Sequence, residues 1–363
     1  MTTHLDVVIV GGGAAGLATA YWLQRAGLRY RLLEAEHVGH VWTRHYDSLR
    51  LHTLKAVSAL PGLTMPDDYP DFPTGPQVAD YLRGYAQRMN LAVEEEAPVR
   101  AVKRREGRWH MATERETYDA KVLVMATGIW GRPYCPPVPG FDAFRGDGLH
   151  SSEYRNPDRF QGQRVLVLGV GNSGAEIAAE LGRAGVETTL SVRGGVTFVP
   201  NPHSAQAMRA SDWLFRHLPR DLGNALLARI RPDFSSLGLP RQACDPLNAY
   251  PVVGFGLVAA VRDRRVRVVG PLSTLTPTGA RFADGREIAL DTVIRATGFR
   301  PVLDVVRPWL SFDARDWPVL NGGRSTRTPS LWAVGLTYPT TAGWLQSIGR
   351  LTRQAVTHIR REV

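Results

Sequence analysis

Two charged residues sit where a nucleotide's sugar would be recognised. Glu34 closes the apolar stretch 30–33 and Arg193 closes 188–192, each about 20 residues beyond a glycine fingerprint. The first fingerprint is Gly11, Gly13 and Gly16 after 6–10; the second is Gly169, Gly171 and Gly174 after 164–168. In such a strand-turn-helix unit the first glycine makes the tight turn and the second lets the backbone approach a pyrophosphate. The third allows close helix packing, and the phosphates rest on the helix N-terminus. A carboxylate at the next strand end accepts hydrogen bonds from a free ribose 2′-hydroxyl but repels a 2′-phosphate, which suits an arginine. The first unit therefore reads as a site for FAD or NAD. The second reads as a site for NADPH, with Asn172 and Ser173 opening its helix. Either charge alone could be a solvated strand end; the matched position in two units favours binding.

The elements that would carry these residues recur in the same order. Each fingerprint heads an apolar strand and a helix, passes through short strands, and closes on an apolar strand with the same ending. Those endings are Ala126, Thr127 and Gly128 in one copy and Ala296, Thr297 and Gly298 in the other. In the first copy the short strands are 99–102, which begins at Val99, and 109–113, with a turn at Glu106 and Gly107. In the second they are 266–269, 272–276 and 280–283, with turns near Gly279 and Gly285. Two insertions break the symmetry. Residues 38–90 carry proline- and aromatic-rich loops and a helix over 77–90, started by a capping box from Thr74 to Gln77. Residues 198–241 carry Pro219 and Pro232 around a helix over 221–231. Loops on a rigid nucleotide-binding scaffold commonly form substrate sites and lids, and packing surface is the alternative for both. The tail offers a buried strand at 331–335 and a terminal helix over 343–359.

Composition narrows the chemistry. With 363 residues, 44% hydrophobic and 21% charged, the chain can hold about two packed domains. Its two cysteines, Cys135 and Cys244, have no metal-ligand or Cys-x-x-Cys spacing, so neither a zinc site nor a redox-active dithiol is expected. The net charge is +10 and nearly all of the positive charge is arginine, Lys55, Lys103 and Lys121 being the only lysines. These arginines are scattered and no nucleic-acid motif accompanies them, so anionic cofactors and solvated faces explain them, without nucleic acid. The first strand begins too early to leave room for a secretion signal, and the apolar stretch 252–261 is broken by Gly254 and Gly256, so no membrane span and a cytoplasmic location are expected.

Between the fingerprints, Phe144, Gly146, His150 and Tyr154 fall in the spacing F-x-G-x-x-x-H-x-x-x-Y/F. This resembles the signature of the flavin-containing monooxygenases. Val41 and Trp42 resemble that family's GGxW segment, with His40 in place of its second glycine, and residues 46–52 and 66–74 resemble its YUCCA-type members. The resemblance covers nearly the whole chain. It implies an α/β fold with two Rossmann-like dinucleotide-binding domains, the NADPH domain inserted into the FAD domain. The boundaries would be 1–150 and 286–363 for FAD and 151–285 for NADPH, the tail completing the first sheet.

What the resemblance implies for function is oxygen insertion into a small molecule. NADPH would reduce FAD, reduced flavin would capture O₂ as a C4a-(hydro)peroxide, and a nucleophilic N or S centre or a 2-oxo acid would take the oxygen. FAD would be held by Gly11, Gly13, Gly16, Glu34, Val41, Trp42, His52, Val99, Thr127 and Gly128. NADPH would be held by Gly169, Gly171, Asn172, Ser173, Gly174, Arg193 and Thr297. Animal members carry an Asn near the flavin edge where this chain offers residues 52–55, which makes His52 and Lys55 the catalytic candidates and puts transfer of the animal substrate range in doubt. A flavin oxidase or reductase without oxygen insertion remains an alternative, as does a Baeyer–Villiger enzyme, although that branch typically ends the signature in Trp. Small-molecule substrate and O₂ are the implied partners, with a homodimer left open.

Overall fold

The computed structural model describes residues 2–243, 247, 250–336 and 344–363. Strand β1 (Thr2–Val10) is its centre. Val7, Val8 and Ile9 are fully buried on both faces of β1, as a parallel strand covered by helices requires. Helix α1 (Ala14–Arg25) carries the chain over to β2 (Tyr30–Leu33), parallel to β1. Helix α2 (Gly75–Arg88) starts two residues before its expected position, and Gln77 completes the capping box by accepting the Thr74 N–H at 2.9 Å. Strand β3 (Val93–Glu94) extends the sheet beyond β2, and β4 (Thr117–Met125) pairs along the other side of β1. The hairpin of Ala101–Arg105 and Arg108–Ala112 joins β4 through a tight turn in which Glu106 and Gly107 take φ of +50° and +79°.

A second, wholly parallel sheet repeats this plan. Its elements are β5 (Asp147–His150), β6 (Arg164–Leu168), α3 (Asn172–Arg183) and β7 (Glu187–Ser191). The chain then forms a helical hairpin, α4 (Ala205–His217) and α5 (Arg220–Ile230), before β8 (Val266–Val269) and β9 (Thr292–Arg295). The strand order is β8-β7-β6-β9-β5. Strands β5 and β9 lie outside the expected limits 151–285 yet belong to this sheet, because Arg295 pairs in register with His150 at its edge. Helix α4 was not expected: apolar residues on its outer side, Trp213 and Leu214, blur the period that marks a one-sided helix.

The tail returns to the first sheet. Strand β10 (Leu331–Ala333) lies parallel to β4, and α6 (Trp344–Ile359) packs against α1, where the Trp22 indole N–H donates to the Gly349 carbonyl at 3.1 Å. Residue 343 of the expected terminal helix and Cys244 lie outside the described residues, and Cys135 is an exposed free thiol. The result is a mixed α/β fold. Among the described residues no helix is long and apolar enough to cross a membrane, and no group of three or more His, Cys, Asp or Glu side chains could hold a metal ion.

Candidate active site

The two glycine turns are near copies. Gly11 and Gly169 take φ of +109° and +104°, a region L side chains rarely adopt, and their N–H groups donate to Leu33 and Ser191 at the ends of β2 and β7. A Cβ on Gly16 would lie 1.9 Å from the Gly11 carbonyl, and one on Gly174 would lie 2.0 Å from that of Gly169. These helices can pack so close to their strands only because both positions are glycine. Gly13 and Gly171 instead face open space and cap α1 and α3 without any side-chain acceptor. The first-turn N–H groups of both helices therefore point at room for an anion, as a pyrophosphate needs.

Both charges stand at the strand ends beside these turns. Glu34 is held by its own turn: Oε2 accepts the Gly12 N–H at 2.5 Å and Oε1 accepts the Glu36 N–H at 3.0 Å. A fixed carboxylate with lone pairs remaining fits a ribose diol. Arg193 is exposed and has no hydrogen-bond or ion-pair partner among the described residues. It borders a second cavity of about 530 Å³ together with Arg241, Arg286 and Asp284, and is the arginine of that lining without an acidic partner among the described residues.

A cavity of about 560 Å³ joins the two units. Gly13 and Ala14 of the first turn line it, as do Asn172 and Ser173 of the second, Val41 and Trp42 of the first insertion, and Met208, Phe215 and Leu227 of the helical hairpin. Gly128 and His52 line it as well. The His52 Nε2–H donates to Glu176 Oε1 at 2.5 Å, and the Tyr46 hydroxyl donates to Glu176 Oε2. Burial first, and then the Glu176 charge, push the Tyr46 hydroxyl well above its ordinary pKa, so it stays a donor. His45 packs edge-on to Trp130, with ring centroids 5.3 Å apart, and its buried Nε2 has no hydrogen-bond partner. Burial and the Arg155 charge lower the His45 pKa to about 4.

Other expected site residues make contacts within the protein. Lys55 does not reach the cavity: its ammonium donates to the carbonyls of Asp67 and Tyr69, at 2.6 and 2.5 Å, and more weakly to that of Pro66. Val99 packs in the core on the other side of the first sheet. The Thr127 and Thr297 hydroxyls donate to the carbonyls of Val302 and Tyr134, at 2.9 and 2.5 Å. The signature residues of the linker are engaged within the protein. A Cβ on Gly146 would lie 2.3 Å from the Asp291 carbonyl, beside the Phe144 ring. The His150 Nε2–H donates to the Gly298 carbonyl at 3.0 Å while Nδ1 accepts the Ser152 N–H, and Tyr154 donates to Glu180 on α3 at 2.9 Å.

Glu176, His45 and Trp130 had not been singled out in the sequence. The signal for Glu176 is the helical row Asn172, Glu176 and Glu180, three half-buried polar residues four apart on α3. The Asn172 amide ties that row to Pro251 and Val253, at 3.0 and 2.9 Å.

The family model for pyridine nucleotide-disulphide oxidoreductases matches residues 8–210, more than half of the chain. The rice protein indole-3-pyruvate monooxygenase YUCCA1 (Oryza sativa subsp. japonica) is 34% identical over 345 residues, covering 90% of this chain and 83% of that protein. A flavin-containing monooxygenase from Stenotrophomonas maltophilia superposes with a TM-score of 0.80 at 29% identity, covering 99% of each chain. A structure described as OTEMO in complex with FAD and NADP shares the fold, with a TM-score of 0.72 at 19% identity over 99% of this chain and 86% of that one.

Proposed function

The chain belongs to the flavin-containing monooxygenases, flavoprotein oxidoreductases, and from that membership we propose that it uses FAD and NADPH to insert one oxygen atom of O₂ into a small molecule. The observation that carries this reading is the opening of both glycine turns into one cavity, since electrons can pass between two dinucleotides only if their rings meet. The two sheets that carry the glycine turns are read as paired Rossmann-like units. Gly11, Gly13, Gly16 and Glu34 would hold FAD, with Val41, Trp42 and Gly128 beside it, and Gly169, Gly171, Ser173, Gly174 and Arg193 would hold NADPH. When bound, FAD supplies the relay between the hydride donor and O₂.

The protein's own residues position and exclude. Trp42, Trp130 and the hairpin side chains keep water from the reacting centre, which favours oxygen transfer over loss as H₂O₂. His52, held by Glu176, presents its ring to the same space. In balance, NADPH gives two electrons, one oxygen atom enters the substrate and the other leaves as water. Arg50 and Arg231 are the cationic side chains on the cavity wall, which favours a substrate carrying a carboxylate. The YUCCA relatives are named for indole-3-pyruvate, a 2-oxo acid of that kind. Its oxygenation would release the carboxylate as CO₂; thioethers and amines are the other class.

The test is a coupling assay on the FAD-loaded protein with NADPH and ¹⁸O₂, offering indole-3-pyruvate, a thioether and a tertiary amine in turn. Label in the product of one of them, with NADPH consumed in excess of H₂O₂ released, is expected. H₂O₂ equal to NADPH with every substrate would establish an oxidase instead.

A further inference from the structure

The cavity between the two units has a sign. Arg50 and Arg231 line it, and among the described residues no aspartate, glutamate or lysine does. Much of the remaining wall is apolar, with Trp42, Trp130, Met208, Phe215 and Leu227. Beside such a wall water screens a charge poorly, so a cation without a partner favours an anion over a neutral molecule of the same shape.

The two arginines are not equivalent. Arg50 is exposed and reaches the Phe72 carbonyl at 3.4 Å. Arg231 is half-buried at the end of α5, where its N–H donates to the Leu227 carbonyl at 3.1 Å and its own carbonyl accepts from Arg241 at 2.8 Å. Its Nη2 donates to Thr197 Oγ1 at 2.5 Å and, more weakly, to the Gln242 carbonyl at 3.4 Å. Nε and Nη1 have no acceptor, and the guanidinium has no acidic partner, among the described residues. A head group already fixed through one nitrogen loses little freedom on meeting a carboxylate, and its remaining donors make charge-assisted hydrogen bonds. The pyrophosphates of the reading above take the glycine turns, and none of the partners of Arg231 belongs to either turn, so its charge is left for a third anion.

We infer that Arg231 is the specificity-determining residue of this cavity and receives the carboxylate of a small organic acid whose aryl or branched alkyl part lies against Met208, Phe215 and Leu227. The inference rests on the proposed function in taking this cavity as the substrate site. To that reading it adds the side chain that selects the substrate and places selection on the helical hairpin, not on the flavin-binding unit that carries Arg50.

Calorimetric titration of the FAD-loaded full chain, with NADP⁺ present to fill the second turn, tests it with 3-phenylpropanoate and the neutral 3-phenylpropanamide. Neither probe carries a sulfur, a basic nitrogen or a 2-oxo group, so the readout is binding alone and holds whether oxygen is inserted or lost as H₂O₂. The acid should bind about tenfold more tightly than the amide, Arg231→Met should remove that preference at unchanged flavin content, and Arg231→Lys should restore part of it. A preference that persists in well-folded Arg231→Met protein would overturn the inference, as would its absence from the wild type, which needs no variant to be read. Loss of the preference in Arg50→Met but not in Arg231→Met would assign the acid to the rim of the cavity instead.

Discussion

The Nε2 of His52 lies 2.5 Å from Oε1 of Glu176, joining a loop of the first insertion to the helix that follows the second glycine turn. Tyr46 donates to the other oxygen of the same carboxylate, so one side chain of α3 fixes two cavity residues from the opposite unit. Glu176 thereby joins Arg155, which donates to the Thr43 and His45 carbonyls, in holding the first insertion against the second unit. Glu176→Gln keeps the shape but replaces one acceptor oxygen with an amide, so His52 and Tyr46 can no longer both donate. Leaving a buried donor unpaired costs about 1–3 kcal/mol. A lower Tm and hydride transfer slowed about tenfold, equivalent to about 1.4 kcal/mol, are expected from thermal unfolding and single-turnover reduction. Unchanged values in both would remove Glu176 from any positioning role.

Arg193 should discriminate between the two nicotinamide cofactors. Its guanidinium has no internal partner among the described residues, and a 2′-phosphate would give it charge-assisted hydrogen bonds worth about 1.5–3 kcal/mol. Arg193→Ala should raise the KM for NADPH by roughly ten- to hundredfold and leave that for NADH within about twofold. Steady-state kinetics with both cofactors decide it, and an equal loss for both would show that the phosphate binds elsewhere.

Lys55 makes the opposite prediction, since it does not reach the cavity. Its ammonium clamps the 66–69 loop through backbone carbonyls. Lys55→Met should therefore cost about 1–3 kcal/mol of stability while turnover per folded, FAD-loaded enzyme stays within about twofold. Urea unfolding and turnover normalised to flavin content give the two readouts. Lost turnover at unchanged stability would restore Lys55 as a catalytic candidate.

The parts of this site that were legible in the sequence are those fixed by backbone geometry. Gly11, Gly16, Gly169 and Gly174 could be read because a positive φ or an approach of about 2 Å admits no side chain. Glu34 and Arg193 followed from them by strand length alone. His45 and Glu176 were not legible, because their meaning depends on contacts between segments far apart in the chain. Nothing local to His45 announces that Arg155 and Trp130 will close around it. The setting of Lys55 was not legible for the same reason: the three carbonyls that engage it lie in a loop whose return path the sequence does not state. At the sheet edges, β5 and β9 passed beyond their expected limits because strand pairing, not the linker signature, decides where a sheet ends.

His45 gives the protein an acid-sensitive element. Burial first and Arg155 second lower its pKa to about 4, whereas in an unfolded chain it titrates near 6.5. Between those values the unfolded chain binds a proton that the folded one refuses, so stability falls as pH drops from 6.5 towards 4 and levels off below. The full effect is on the order of 3 kcal/mol. Burial also lowers the pKa of His150, adding a slope of the same sign. Asp291, paired with Arg164 and held at about 2, acts at lower pH: its contribution is present above 3.8 and is lost only as pH falls from there towards 2. His45→Phe, which keeps an aromatic ring beside Trp130, should therefore flatten but not abolish the loss of stability between pH 6.5 and 4. Urea unfolding of both proteins at pH 7 and pH 4.5 measures it. If the two proteins lose the same stability over that interval, His45 is not held neutral in the fold.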